Sequence, residues 1–106
     1  MSRINLEVYY KNFFKDAYYD HEQLKSINAA HAISSEYYDV KFGRNSIIYR
    51  DKAYDFAIPL EHDITHKIII HLDYFFENNS CDIDVNLLKK RISTILTFLK
   101  VKYKFE

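Results

Sequence analysis

Glycine, proline and cysteine each occur once in this 106-residue chain, at Gly43, Pro59 and Cys81, and tryptophan is missing. A single glycine excludes the glycine-rich loops that cradle phosphates. With so little glycine and proline there is no flexible linker to read, so residues 1–106 are expected to form one globular domain. One cysteine cannot close an internal disulfide and supplies no thiolate cluster for zinc, which points to a reducing, cytoplasmic setting. A catalytic thiol would need a histidine beside it in space. No apolar run approaches the length of a membrane span. The opening "MSRINLEVYY" lacks a long apolar stretch before a small-residue cleavage site, so no signal peptide is expected.

What is abundant is tyrosine and phenylalanine, ten and eight residues. Tyrosine buries its ring while its hydroxyl reaches water, and it is favoured at interfaces, so the count fits both core and contact surface. Formal net charge is zero but unevenly spread. Residues 51–88 hold eight carboxylates against two lysines, whereas residues 89–106 hold six cations against one carboxylate. Such asymmetry bears on partners rather than on fold.

Hydrophobic spacing predicts about four helices. Leu6, Tyr10, Phe13, Phe14 and Ala17 share one arc of a first helix, although Ile4, Leu6 and Val8 also alternate as in a strand. Asp20 and Gln23 have capping-box spacing, and Leu24, Ile27, Ala30, His31, Ser34, Tyr37 and Tyr38 trace one face of a helix over 21–38. Leu60 to Glu77 returns to helical spacing, with Ile64, Ile68, Ile69, Leu72, Phe75 and Phe76 on one face. Asp84 is placed to cap a last helix carrying Val85, Leu88, Ile92, Ile95, Leu96 and Leu99.

Between them the period changes. Ile47–Tyr49 and the alternating Tyr54, Phe56, Ile58 and Leu60 flank Arg50-Asp51-Lys52, which reads as an antiparallel hairpin ended or placed at an edge by Pro59. Val101, Tyr103 and Phe105 alternate with lysines and suggest a C-terminal strand, possible as a third partner of the hairpin. The expected fold class is therefore α+β: a small domain of about four helices packed with a short hairpin.

Motifs for catalysis are weak. His62 and His66 in "HDITH" would face one way on a helix, but Asp63 replaces the glutamate of zinc proteases, and Asp73 lies two turns further on. An exposed polar helix face is the simpler reading, and no metal or cofactor is expected. His31 reads as a hydrogen-bonded core histidine. "DVK" at 39–41 is too short to mark a nuclease site.

The acidic middle interleaves aromatic and aliphatic residues with carboxylates, the mixture that interfaces favour. The expectation is a protein-binding module rather than an enzyme. Its concrete form is an inhibitor of the antitoxin or immunity type covering a basic site on a toxin or nuclease. Tyr49, Asp51, Tyr54 and Asp55, extended by Asp63, Ile70, Tyr74 and Glu77, form the candidate partner-binding patch. A competing reading makes Ile70 and Tyr74 a second buried stripe and turns Tyr54 inward. The alternative function is nucleic-acid binding through Lys89, Lys90, Arg91 and the lysines that follow, which the neutral whole chain and acidic middle oppose.

Overall fold

A computed structural model describes residues 21–106 together with Val8, Asn12 and Phe14. Val8 and Asn12 have helical backbone, and Phe14 is buried. The remainder of the expected first helix, and the Asp20 cap, lie outside the described residues.

The fold is sheet-dominant, which corrects the expected four helices and hairpin. Among the described residues, seven strands run side by side in chain order and curl into a half-barrel with two helices. They are β1 (Leu24–Asn28), β2 (His31–Ser34), β3 (Tyr38–Phe42), β4 (Ser46–Asp51), β5 (Asp55–His62), β6 (Ile68–Ile70) and β7 (Tyr103–Phe105). Neighbours from β1 to β6 are antiparallel. Helices α1 (Leu72–Asn78) and α2 (Val85–Phe98) then carry the chain across, so β7 adds to β6 in parallel. A parallel pair requires such a crossover. The terminal strand thus exists, but it joins β6 and not the hairpin.

Residues 21–38 form two strands and enter a third because their polar side chains satisfy turns. The Asn28 carboxamide oxygen accepts from the Ala30 backbone N–H at 2.8 Å, which turns the chain where two alanines favoured helix. Ser34 Oγ accepts from the Glu36 N–H at 3.0 Å in the next turn. All four residues of β2 are buried, so no polar alternation marks it as a strand. Around Ser26 and Asn28 the β1–β2 register shifts, which also disturbs the period.

The expected helix over 60–77 is likewise divided. The Asp63 carboxylate accepts from the Thr65 N–H and hydroxyl, and His66 N–H donates to the Asp63 carbonyl at 3.0 Å. That turn separates β5 from β6 and leaves Ile64 98% exposed at its tip, far from the core face expected of it. The β4–β5 hairpin is present and β5 runs through Pro59. Pairing to β4 ends at Pro59, and pairing to β6 begins at Leu60, so the missing N–H falls at the change of partner.

One face of the sheet carries Val40, Ile47, Tyr49, Ile58, Leu60, Ile68 and Ile70 into a continuous core with Leu72 and Phe75 of α1 and Leu88, Ile92, Ile95 and Leu96 of α2. Asp84 caps α2 by accepting from the Leu87 N–H at 3.0 Å. At the other end Lys100 N–H donates to the Thr97 carbonyl and Val101 N–H to the Leu96 carbonyl. This is a Schellman closure with lysine, at φ 61°, where glycine is usual.

Ile95 is fully buried, so Ile95→Ala should lower unfolding free energy by about 2–5 kcal/mol in urea titration. Lys100→Gly should leave stability unchanged or raise it by up to ~1 kcal/mol, because glycine relieves a left-handed backbone while adding unfolded-state entropy.

Candidate partner-binding surface

The hairpin turn explains why two tyrosines and two aspartates surround it. Asp51 Oδ1 accepts from the N–H groups of Ala53 and Tyr54, each at 2.7 Å, which shapes a turn lacking an Asn-Gly pair. Its Oδ2 accepts from the Tyr49 hydroxyl at 2.5 Å and from Arg91 Nη1 at 3.2 Å. Arg91 also donates to the Tyr49 oxygen at 2.6 Å and lies 4.8 Å from the centre of the Tyr38 ring. One carboxylate therefore closes the turn and fastens α2 to the sheet.

Burial, then the hydrogen bond to anionic Asp51, pushes the Tyr49 hydroxyl well above the ordinary tyrosine range. Burial and then Glu22 do the same at Tyr38, whose hydroxyl donates to Glu22 at 2.7 Å. At Arg91 partial burial works against the charge, but Tyr49 and Asp51 outweigh it and hold the guanidinium ionised.

The other face of the sheet holds a second ionic cluster. Asp39 on β3 is buried and takes His31 Nε2 at 2.5 Å, Arg50 Nε at 3.0 Å and Arg50 Nη2 at 2.5 Å. The core-histidine expectation for His31 agrees with its position, 2% exposed. The Asp39 carboxylate of the "DVK" stretch is thus committed to strand pairing.

The eight predicted patch residues separate into groups. Tyr49 and Ile70 are completely buried, so a partner cannot reach them in this fold; the buried-stripe reading holds for Ile70 and fails for Tyr74, which is 57% exposed. Asp51 is committed as described. Asp63 builds the β5–β6 turn, at the opposite end of β5 from Tyr54. Tyr54, Asp55, Tyr74 and Glu77 keep exposure to solvent.

Tyr54 leads to residues the sequence pattern did not single out. Its hydroxyl donates to Asp82 at 2.7 Å across 28 residues of chain. That bond, ahead of a small burial effect, pushes the Tyr54 hydroxyl up to about 12. It draws the loop before α2 onto the hairpin turn. Val85 and Leu87, each 39% exposed, follow on the first turn of α2. Val85 had been assigned to the buried face. Leu87 lies off the Leu88–Ile92–Ile95 stripe, and a leucine on a polar arc was the available signal.

A groove continues from Leu87. Two depressions of about 220 and 210 Å³ adjoin across Arg91 and Glu36, which line both. Glu22, Tyr38, Lys90 and Thr94 complete the first, and Tyr37, Asp51, Lys52 and Ala53 the second. Exposed Leu87 therefore shares the first depression with Glu22 and Glu36 as well as with Lys90 and Arg91, while Val85 follows Asp82 and Asp84 in the chain. Of the cations Lys89, Lys90 and Arg91, Lys89 reaches away toward the Phe105 ring at 5.9 Å, whereas Lys90 and Arg91 both line the first depression and Arg91 is bound to Asp51.

Elsewhere, Glu61, His71 and Glu106 present ligand atoms within 4.8 Å of one another, the one set of three such groups among the described residues. His71 Nε2 lies 2.9 Å from Glu61 and Nδ1 4.0 Å from Glu106, so one imidazole ring between two carboxylates accounts for the arrangement. His62 and His66 do not belong to such a set. Among the described residues no helix is long and apolar enough to cross a membrane.

Compared with protein-family models, curated proteins and solved structures, the chain gives no match.

Tyr49→Phe should cost about 1–3 kcal/mol in urea unfolding, because it leaves Arg91 and Asp51 without their shared hydroxyl. Asp63 gives a pH test. The Thr65 N–H, then the Thr65 hydroxyl, hold its carboxyl below the ordinary value. A depressed folded value stabilises above the unfolded pKa of about 4 and is lost as pH falls through the folded one. The melting-temperature gap between wild type and Asp63→Ala should be constant between about pH 5 and 7 and close below about pH 4. A gap that persists in acid would assign the effect to something other than the carboxylate.

Proposed function

We propose that this protein is a binding module that docks on a basic surface of another protein, in the manner of an antitoxin or immunity-type inhibitor. The observation that carries the reading is the placement of exposed Leu87 in one groove with Glu22 and Glu36, next to a helix start that carries exposed Val85 behind Asp82 and Asp84. Aliphatic anchors give affinity when desolvated, and carboxylates around them steer a cationic partner and choose among partners. The groove beside Leu87 offers Glu22 and Glu36 to an inserted lysine or arginine. Nuclease and toxin active sites that bind phosphates are cationic and concave, and such a surface complements them. Arg91 is taken up by Asp51 and Tyr49, which weakens the nucleic-acid alternative at the position where it was centred.

The patch so defined keeps Tyr54 and Asp55 from the sequence reading and adds Glu22, Glu36, Asp82, Val85 and Leu87. The test is affinity capture of the tagged protein from its own cells, followed by binding measurements on the partner recovered. Leu87→Arg and Asp82→Lys should each weaken association at least tenfold while the thermal melt stays within a degree or two. The Asp82→Lys effect should lie mainly in the association rate and shrink as salt rises. Capture of nucleic acid alone, or capture of a protein indifferent to both substitutions, would refute the proposal.

A further inference from the structure

The far end of the molecule carries a different chemistry. Phe42, His62, Thr65, His66, Ile68, Lys100, Val101 and Lys102 line a cavity of about 460 Å³ where β5, β6, the end of α2 and the approach to β7 meet. Ligand pockets typically measure a few hundred cubic ångströms. The lining contains two lysines and two histidines and no carboxylate. Neither Lys100 nor Lys102 takes part in an ion pair among the described residues, whereas neighbouring Lys104 pairs with Glu106 at 3.3 Å. The Asp63 carboxylate, in the same turn as His66, accepts from the Thr65 N–H and hydroxyl, and Glu106, the carboxylate nearest in sequence to the lysines, pairs with Lys104. Beneath the polar rim, Phe42, Ile68 and Val101 provide an apolar floor.

The backbone is unusual at the same place. Three non-glycine residues have positive φ among the described residues: Tyr37 at 71°, His66 at 66° and Lys100 at 61°. Two of the three line this cavity, and both carry cationic or protonatable side chains. Left-handed backbone costs free energy for any residue with a Cβ, and such positions gather at functional sites. Lys100 has a competing structural role, since a cation near a helix C-terminus complements its dipole. His66 likewise takes the left-handed position of the β5–β6 turn, where Asp63 and Lys67 close the hairpin; neither role calls for a second lysine beside an open apolar floor.

We infer that this cavity binds a small organic phosphate with a planar body, of the nucleoside monophosphate class. The phosphate meets Lys100 and Lys102, with His66 on the rim. The base covers Phe42, Ile68 and Val101, where aromatic and aliphatic contact tolerates any planar ring. His62 is fixed against the β3–β4 turn, its Nε2 3.2 Å from the Gly43 carbonyl, and stands as one wall of the site. This site is separate from the acidic surface, so either assignment can fail without the other.

Titration calorimetry of the intact protein with adenosine monophosphate tests it, with adenosine and inorganic phosphate as controls. The expected result is one saturable site that binds the nucleotide more tightly than either fragment. Lys100→Gly is the informative variant, because glycine suits the backbone there and preserves the fold. It should weaken nucleotide binding at least fivefold with the melt intact, and Lys102→Ala should do the same. The His62 and His66 ring resonances should shift in NMR spectra as nucleotide is added. No saturable binding into the millimolar range would overturn the inference. So would binding unaffected by Lys100→Gly and Lys102→Ala, or inorganic phosphate that binds as tightly as the nucleotide.

Discussion

A carboxylate 1% exposed to water, Asp39, sets a condition that the surrounding strands have to meet. An ionised group in that position is tolerated only if donors replace its lost hydration. His31 on β2 and Arg50 on β4 do so from the two strands that flank β3. Register follows from this. A slip of one residue in either pairing would carry the donor to the opposite face and leave a buried charge alone. Ile33 opposite Asp39 and Asp39 opposite Arg50 are thus fixed electrostatically as well as by apolar burial on the other face. An ion cluster of this kind specifies an arrangement more than it adds net stability.

The second fastening ties helix to sheet. Arg91 is the cation of α2 that turns inward, and it meets Asp51 through the Tyr49 hydroxyl. The hairpin turn, the aromatic face and the crossover helix are consequently joined at one point. From there rings follow one another through Tyr49, Phe56 and Phe75, with centroids 5.5 and 4.8 Å apart, and bring α1 onto β5. Tyr38 and Tyr49 serve this design because each places a ring in the core and a hydroxyl among charges. Glu22 and Glu36 remain beside Leu87 in the groove along this helix.

β5 sets the distance between the two ends. Its hairpin turn stands beside the acidic loop that precedes α2, and its other end stands beside the lysines that follow α2. Arg91 bridges the two charge sets by pairing with Asp51, while Lys100 and Lys102 lie at the other end of the molecule. The charges also match the helix: carboxylates gather near the N-terminus of α2 and lysines follow its C-terminus.

Much of the local structure was legible in the residues. Asp84 as a cap, the inward stripe Leu88, Ile92, Ile95 and Leu96, the hairpin around Asp51 and the alternating C-terminal strand each rest on contacts within a few residues, which short-range patterns encode. The strands between residues 24 and 42 were not legible. β2 is buried throughout and shows no alternation, a bulge shifts the phase of β1, and apolar residues in three short strands happen to recur near the helical spacing. Ile64, Ile68 and Leu72 likewise align on a helical wheel, yet they belong to a turn tip, a strand and a helix start. Of the residues of the proposed partner-binding surface, Tyr54 and Asp55 were visible as an aromatic and an acid on a turn. Glu22, Glu36 and Asp82 were not, because only long-range bonds and packing bring them to the hairpin and α2. Sequence by itself determined the charge asymmetry, the caps and turns, and which long segments had to bury an apolar face. Tertiary structure alone decided that the fold is organised around a sheet, because a strand is completed by hydrogen bonds to residues distant in sequence.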